Sequence, residues 1–349
     1  MIDVYQIIDA IKPLDKAKGQ EAEAYINTLT KPLQSLGEIE RLAVQLAEMT
    51  GEVKPDVSPP GVIVFAADHG IAEEGISAYP QEVTGQMVRN FLAGGAAINV
   101  FTKRVNGLLE IVDAGVKADI PGVRTEKIGY GTKNFAAEPA MSRKDALRSI
   151  QMGMRLAEET IERGAKLLIP GEMGIGNTTS SSAISAALTG IKPEDLTGRG
   201  TGIDSKQISF KSEIIRRALE LHRPNPNDPL DVLSKVGGFE IGAMAGAMLF
   251  AAYRRIPVLL DGFICTTAAL LAAHLTEHAK DYMIAGHLSV EPGHLLILDR
   301  LGKKPLVSMG LRLGEGTGAA LVFPFVQAAS DMVKNMATFD SAGVSKEHI

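Results

Sequence analysis

The chain has no tryptophan, a single cysteine and only 5% aromatic residues, and each scarcity narrows what it can be. One thiol, Cys265 in Asp261-Gly-Phe-Ile-Cys-Thr-Thr267, cannot close an intramolecular disulfide, which excludes stapled secreted scaffolds and fits a reducing compartment. It reads as a packed thiol. No uncharged apolar run reaches the roughly 18 residues of a membrane span, and Met1-Ile-Asp-Val-Tyr5 has no basic stretch ahead of an apolar block. The expected location is the cytoplasm, with no membrane partner. A basic stripe is also missing and the net charge is −5, which disfavours nucleic acid and points to small ligands. No repeat of fixed period, low-complexity tract or block of like charge is evident.

What is present is a soluble, Ala/Gly-rich composition: 349 residues, 45% hydrophobic, with 36 glycines. That length exceeds one usual core, so a large domain with a smaller partner is expected. Residues 3–50 alternate apolar and charged positions at helical spacing and predict two or three amphipathic helices. Three prolines in Val53-Lys-Pro-Asp-Val-Ser-Pro-Pro-Gly61 end that region. Then Val62-Ile-Val-Phe-Ala-Ala67 begins a series of short, continuous apolar runs: 111–115, 167–171, 257–262 and 282–287. Each reads as a strand buried on both faces, its end turning on Gly, Asp or His. Helical stretches separate them: 143–163, 178–188, 204–222, 239–252 and 266–277. The alternation predicts an α/β fold with a doubly wound, mostly parallel, Rossmann-like sheet whose ligand crevice lies beyond the strand carboxyl ends. After Pro305-Leu-Val-Ser308 the chain is expected to return to helix from Thr317 through Val333. The predicted division is a large α/β domain, 59–304, and a small helical domain from both chain ends, 1–58 plus 305–349.

Two stretches carry the most chemistry. In Met309-Gly-Leu-Arg-Leu-Gly-Glu-Gly-Thr-Gly318, Gly314 and Gly316 leave Glu315 bare, so that a ligand can reach both main chain and carboxylate, with Thr317 placed to cap the helix that follows. The bland alternative is a turn whose acid complements the helix dipole. In Pro170-Gly-Glu-Met-Gly-Ile-Gly-Asn-Thr-Thr-Ser-Ser-Ser182, strand gives way to helix. Unpaired N–H donors, the dipole and hydroxyls there suit a phosphate monoester, or simply a capped tight turn. The stretch lacks the Gly-Lys-Ser/Thr end of a P-loop, and its glycine spacing is not the dinucleotide fingerprint. Asp68-His69-Gly70 reads either as an acid/base or metal pair or as a structural hydrogen bond. The helix expected after Pro80 in Ala78-Tyr-Pro-Gln-Glu-Val-Thr-Gly-Gln-Met-Val88 lines a pocket or belongs to the core. Lys206 and Lys211 read as solvated. His274-Leu-Thr-Glu-His278 matches a zinc-protease pattern but sits in a polar last turn, away from the strand ends.

With Asp68-His-Gly70, Gly171-Glu-Met-Gly-Ile-Gly-Asn-Thr-Thr179, Asp261-Gly-Phe263, Gly286-His-Leu-Ser-Val-Glu291 and Gly310-Leu-Arg-Leu-Gly-Glu-Gly-Thr-Gly318 in order, the sequence resembles the nicotinate-nucleotide:dimethylbenzimidazole phosphoribosyltransferases from about residue 5 to 340. The resemblance implies transfer of phosphoribose from nicotinate mononucleotide to a benzimidazole, giving α-ribazole 5′-phosphate for the lower ligand of cobalamin. It also implies a homodimer, with no metal and no cofactor. By the same resemblance Glu315 is the general base. Tyr79, Pro80, Gln86 and Met173 lie against the benzimidazole, and Glu172, Gly174, Gly176, Asn177 and Thr178 hold the phosphoribose. Lys211, Asp261, Gly262, Ser289 and Glu291 share that rim, with Gly314 and Gly316 beside the base. A different phosphoribosyl or nucleoside transferase would share the anion loop, and a non-enzymatic nucleotide-binding regulator would share the sheet.

Overall fold

The computed structural model describes residues 3–200, 202 and 204–345. Three helices come first: α1 (Val4–Ala10), α2 (Lys16–Ile26) and α3 (Glu38–Thr50). Asp3 and Asp15 cap α1 and α2 by accepting N–H groups of their first turns, and the apolar stripe of α3 buries Leu42, Ala43 and Leu46. After the proline-rich connection come β1 (Pro60–Ala67), α4 (Glu82–Leu92), α5 (Ala97–Arg104), β2 (Leu108–Gly115), the two-residue β3 (Arg124–Thr125), α6 (Arg143–Glu162) and β4 (Leu167–Met173). A helical stretch follows: α7 (Asn177–Thr189), α8 (Pro193–Leu196), α9 (Ser205–His222), α10 (Pro229–Val236) and α11 (Phe239–Tyr253). The chain continues through β5 (Val258–Leu260), α12 (Phe263–Leu275), β6 (Met283–Ala285), β7 (His287–Ser289), α13 (Pro292–Leu301) and β8 (Val307–Leu311), and ends with α14 (Thr317–Asn335) and α15 (Phe339–Ala342).

Six strands form one sheet in the order β3-β2-β1-β4-β5-β6, with every pairing parallel. Every residue of β1 is buried, as its unbroken apolar run requires of a strand covered on both faces. One helical layer is α6, α11 and α12; α4, α5 and α14 form the other. In the first layer α6 and α11 touch backbone to backbone. A Cβ on Gly246 would stand 2.0 Å from the Ile150 carbonyl oxygen, so no larger residue fits. Strand order reverses between β1 and β4, and in such sheets the ligand crevice opens beyond the carboxyl ends of that pair. Phe65 lies in register with Glu172 and Ala66 with Met173, which sets the turn after β1 beside the loop after β4.

The expected α/β, parallel, Rossmann-like architecture is what the chain adopts. Several elements differ in detail. The apolar run 282–287 serves two sheets: Gly286 separates β6 from β7 and donates its N–H to the Leu260 carbonyl at 3.0 Å. β7 then pairs, parallel, with β8, a strand formed where the sequence predicts only a return to helix. Ser308, Met309 and Gly310 in β8 are exposed, so no continuous apolar run announces it. Helix α12 begins at Phe263, three residues ahead of expectation, directly after Gly262. The two chain ends meet: α14 lies along α3 and α5, and Thr30 donates its N–H to the Ala337 carbonyl at 3.0 Å. The buried apolar residues form one connected cluster from Val4 to Val333.

Candidate active site

Beyond the carboxyl ends of β1 and β4 lies a cavity of about 790 Å³. One wall is the loop from Glu172 to Thr178. Gly176, at φ +102°, precedes α7 as its N-cap, a position that supplies no side chain to the first-turn N–H groups. Lys211, from α9, is 1% exposed and donates from Nζ to Thr178 Oγ1 at 2.7 Å. Burial pulls its ammonium down to about 8, against the opposing pull of the nearby Glu291 carboxylate. Glu291 in turn accepts the Gly200 N–H at 3.0 Å, so lysine, acid and glycine loop hold one another in place.

A second wall, in contact with the first, is the turn that joins β8 to α14. Gly314, Glu315 and Gly316 all take left-handed φ values, +91°, +65° and +84°. For Glu315 that conformation is strained, and it persists because neighbours fix it. Gly171 in β4 is one of them: a Cβ there would stand 2.3 Å from the Glu315 carbonyl oxygen. Asp261, at the end of β5, is another. It accepts the N–H groups of Gly316 (3.2 Å) and Ala319 (3.0 Å) and thereby caps α14 from a different strand. Thr317 is therefore not the cap; it is the first helical residue and donates its hydroxyl to the Gly314 carbonyl.

Each wall carries one buried carboxyl, and the two have different surroundings. Glu172 Oε1 accepts the Glu315 N–H at 3.3 Å, and Oε2 accepts from Asn177 Nδ2. Burial, reinforced by Asp261, holds the Glu172 carboxyl well above the usual carboxylate range. Burial and then Asp261 push Glu315 up to about 7, and its Oε2 has no hydrogen-bond partner among the described residues. Glu315 borders the cavity, and a carboxylate with a neutral-range pKa is suited to taking a proton near pH 7.

This chain matches the family described as phosphoribosyltransferase across residues 11–344. It is 52% identical over 345 residues to the nicotinate-nucleotide--dimethylbenzimidazole phosphoribosyltransferase of Chloroflexus aggregans, covering 98% of both chains. It is 52% identical over 342 residues to that of Desulforudis audaxviator, covering 97% of each. The crystal structure of CobT from Thermus thermophilus superposes with a TM-score of 0.91 at 44% identity, over 95% of this chain and all of that one. The chain belongs to this phosphoribosyltransferase family.

Of the residues that the family resemblance picks out, the cavity brings together Tyr79, Glu172, Met173, Gly174, Gly176, Asn177, Thr178, Lys211, Asp261, Gly262, Ser289, Glu291, Gly314 and Glu315. Three others lie off its lining. Pro80 is exposed ahead of α4, and Gln86 is exposed on that helix, about 100° round from Met87 at 3.6 residues per turn. Val83 and Met87 face the cavity from α4 instead. Gly316 is behind the wall, with Ile169 and Gly171 where its Cβ would point. Lys211, read from the residues alone as solvated, is buried, whereas Lys206 is exposed. Arg199, Gly200, Phe101 and Arg312 border the cavity without having been singled out. The alternating glycines of Gly198-Arg-Gly-Thr-Gly202 were the available signal for the first two. Cys265 is buried, its thiol pushed up by burial. His274 and His278 lie apart from the cavity: the first bonds the Leu270 carbonyl, the second pairs with Asp281 at 3.6 Å.

Proposed function

We propose that this enzyme transfers the 5-phosphoribosyl group of nicotinate mononucleotide to dimethylbenzimidazole, releasing nicotinate and giving α-ribazole 5′-phosphate for the lower ligand of cobalamin. The observation that carries the reading is the convergence, in one cavity at the strand-order reversal, of an anion-suited helix start and a carboxylate titrating near neutrality. Phosphate rests on the Gly174–Thr178 backbone and Lys211, with ribose hydroxyls at Glu172 and Asn177. The benzimidazole lies among Tyr79, Val83, Met87, Met173 and Leu321, its N–H directed at Glu315.

Neutral benzimidazole is a modest nucleophile. As one ring nitrogen attacks C1′, Glu315 accepts the proton from the other, a contribution of roughly 10²–10⁴-fold. The C1′–N bond of the nucleotide breaks with its electron pair going to the pyridine nitrogen, so nicotinate leaves with a neutral ring and needs no acid. The transition state has oxocarbenium character, as in glycoside hydrolysis. Asp261 and Glu172 place negative or dipolar charge beside that developing cation. Incubation with nicotinate mononucleotide and dimethylbenzimidazole, following nicotinate release, tests the assignment. Release that does not depend on acceptor would point to another nucleotide transferase or hydrolase, and binding without release to a regulator.

The same reading makes the protein a cytoplasmic homodimer with small-molecule substrates. Among the described residues no helix is long and apolar enough to cross a membrane. Tyr79, Leu313 and Leu321, which line the cavity, are exposed, apolar surface that a second copy would cover. Light scattering gives the mass directly. We also read the helices of 1–58 and 305–349 as one small unit, supported by the contact of α3 with α14.

A further inference from the structure

The turn Asp68-His69-Gly70 takes no part in the chemistry above, and neither Asp68 nor His69 borders the cavity. Asp68 closes the turn by accepting the Lys117 N–H at 2.8 Å. The His69 ring is fully enclosed and both its nitrogens are engaged: Nδ1 lies 2.9 Å from Ser180 Oγ on α7, and Nε2 lies 2.6 Å from Glu240 Oε1 in the first turn of α11. A carboxylate only accepts, so Nε2 carries a proton aimed at Glu240, and Nδ1 is left to the Ser180 hydroxyl. Gly238 makes room for the pair, since a Cβ there would stand 2.4 Å from His69 Cε1.

Burying an acid and a histidine to fill a core is costly, and an apolar pair of the same volume would serve a merely structural purpose as well. The ring's other neighbours indicate what it holds. A Cβ on Gly174 would meet His69 Cδ2 at 3.3 Å, and one on Gly176 would meet His69 Cβ at 3.1 Å. Between them Ile175 donates its N–H to Thr84 Oγ1 at 3.1 Å. Two glycines give this turn a soft backbone, and a ring pinned at both nitrogens takes that softness away.

We propose that His69, clamped between Ser180 and Glu240, is a positioning residue for the nucleotide: its ring fixes the Gly174–Gly176 turn and the start of α7 against the phosphoribose. The inference rests on the reading of that turn as the phosphoribose site. Geometry set in advance lowers the cost of ordering the loop on binding, and misplacement of the order of an ångström is enough to weaken a site many-fold.

The test uses the full chain as Ser180→Ala, Glu240→Ala and Glu240→Gln, with Gly176→Ala in the turn itself. Calorimetric titration of nicotinate mononucleotide without acceptor gives Kd, and nicotinate release gives KM for each substrate. Ser180→Ala and Glu240→Ala raise nucleotide Kd and KM on the order of tenfold and leave benzimidazole KM within about twofold. Glu240→Gln, which keeps an acceptor for the Nε2 proton, returns nucleotide Kd to within about threefold of wild type. Ser180→Ala removes one oxygen and carries the test alone where Glu240→Ala does not fold. Equal weakening of both substrates overturns the role, as does unchanged nucleotide binding in these variants beside a weakened Gly176→Ala. Unchanged binding in Gly176→Ala, despite the strain at φ +102°, overturns the phosphoribose-loop assignment beneath it.

Discussion

Glu315 donates its backbone N–H to the Oε1 oxygen of Glu172 at 3.3 Å, tying the turn after β8 to the end of β4. The contact is possible because Gly314 has no Cβ; one would stand 2.4 Å from that same oxygen. Glu172 receives a second donor from Asn177. The two carboxyls are thus neighbours with different surroundings: both oxygens of Glu172 are engaged by donors, whereas Glu315 borders the cavity with one oxygen unpaired among the described residues.

Glu315→Gln keeps the shape of the side chain and cannot take the proton. Turnover should fall by roughly 10²–10⁴-fold while the Kd for nicotinate mononucleotide stays close to wild type. Nicotinate release and calorimetry on the same sample measure both. Near wild-type turnover would remove Glu315 from the role of base.

The pH dependence follows from the same group. Only the carboxylate accepts a proton, so kcat/KM should fall about tenfold per pH unit below about 7, the value to which burial raises Glu315. Stability runs the other way. The folded state holds the Glu315 proton up to about pH 7 and the unfolded chain releases it near 4.5, so this residue's contribution is full below 4.5 and is lost as pH rises through 7. Glu315→Gln should therefore match wild type near pH 4 and exceed it at pH 8 by roughly 3 kcal/mol. Denaturant unfolding of both proteins at the two pH values checks this, and equal stability at pH 8 would contradict the raised value.

Gly171→Ala tests whether the base is positioned by the strand beneath it. The added Cβ would meet the Glu315 carbonyl at 2.3 Å, a backbone atom that cannot rotate away. Overpacking of this kind costs about 1–3 kcal/mol, and a base displaced by the order of an ångström loses roughly 10²-fold in rate. The expected signature is a drop in kcat larger than the modest loss of thermal stability would explain. Unchanged kcat would show that the turn tolerates the shift.

The sheet was legible because β1, most of β4 and the second half of β2 are continuous buried runs, and a strand covered on both faces is mostly apolar. β8 was not, since three of its five residues are exposed and its order comes from pairing with β7, a tertiary fact. The site divides in the same way. Glu315 stands out in the sequence because glycine flanks it on both sides, and Gly174 and Gly176 because they alternate where a strand run gives way to a helical one. Lys211 does not, for nothing near it in the chain tells that α9 packs it against Thr178 and Glu291. Likewise Asp261 caps a helix that begins 56 residues later, and His69 meets Glu240 across 171 residues. Such long-range pairings have no period to read.

The product should carry the α configuration although nicotinate mononucleotide is β, because one displacement at C1′ inverts it. The rival route has Glu172 attack first to form a ribosyl-enzyme, which the benzimidazole then displaces with overall retention. Both routes use two glutamates and differ in what reaches C1′ first. Two features of Glu172 favour inversion. Burial and Asp261 hold it toward the neutral acid, and a neutral carboxyl is a poor nucleophile. Its two oxygens are also already turned to the Glu315 N–H and the Asn177 amide, so in-line attack would require giving up a buried hydrogen bond before any bond to carbon forms. NMR assignment of the product anomer, with mass spectrometry of enzyme quenched in the absence of acceptor, decides between the routes: a β product together with a covalent ribosyl adduct on Glu172 would end the single-displacement mechanism, and an α product with unmodified enzyme would sustain it.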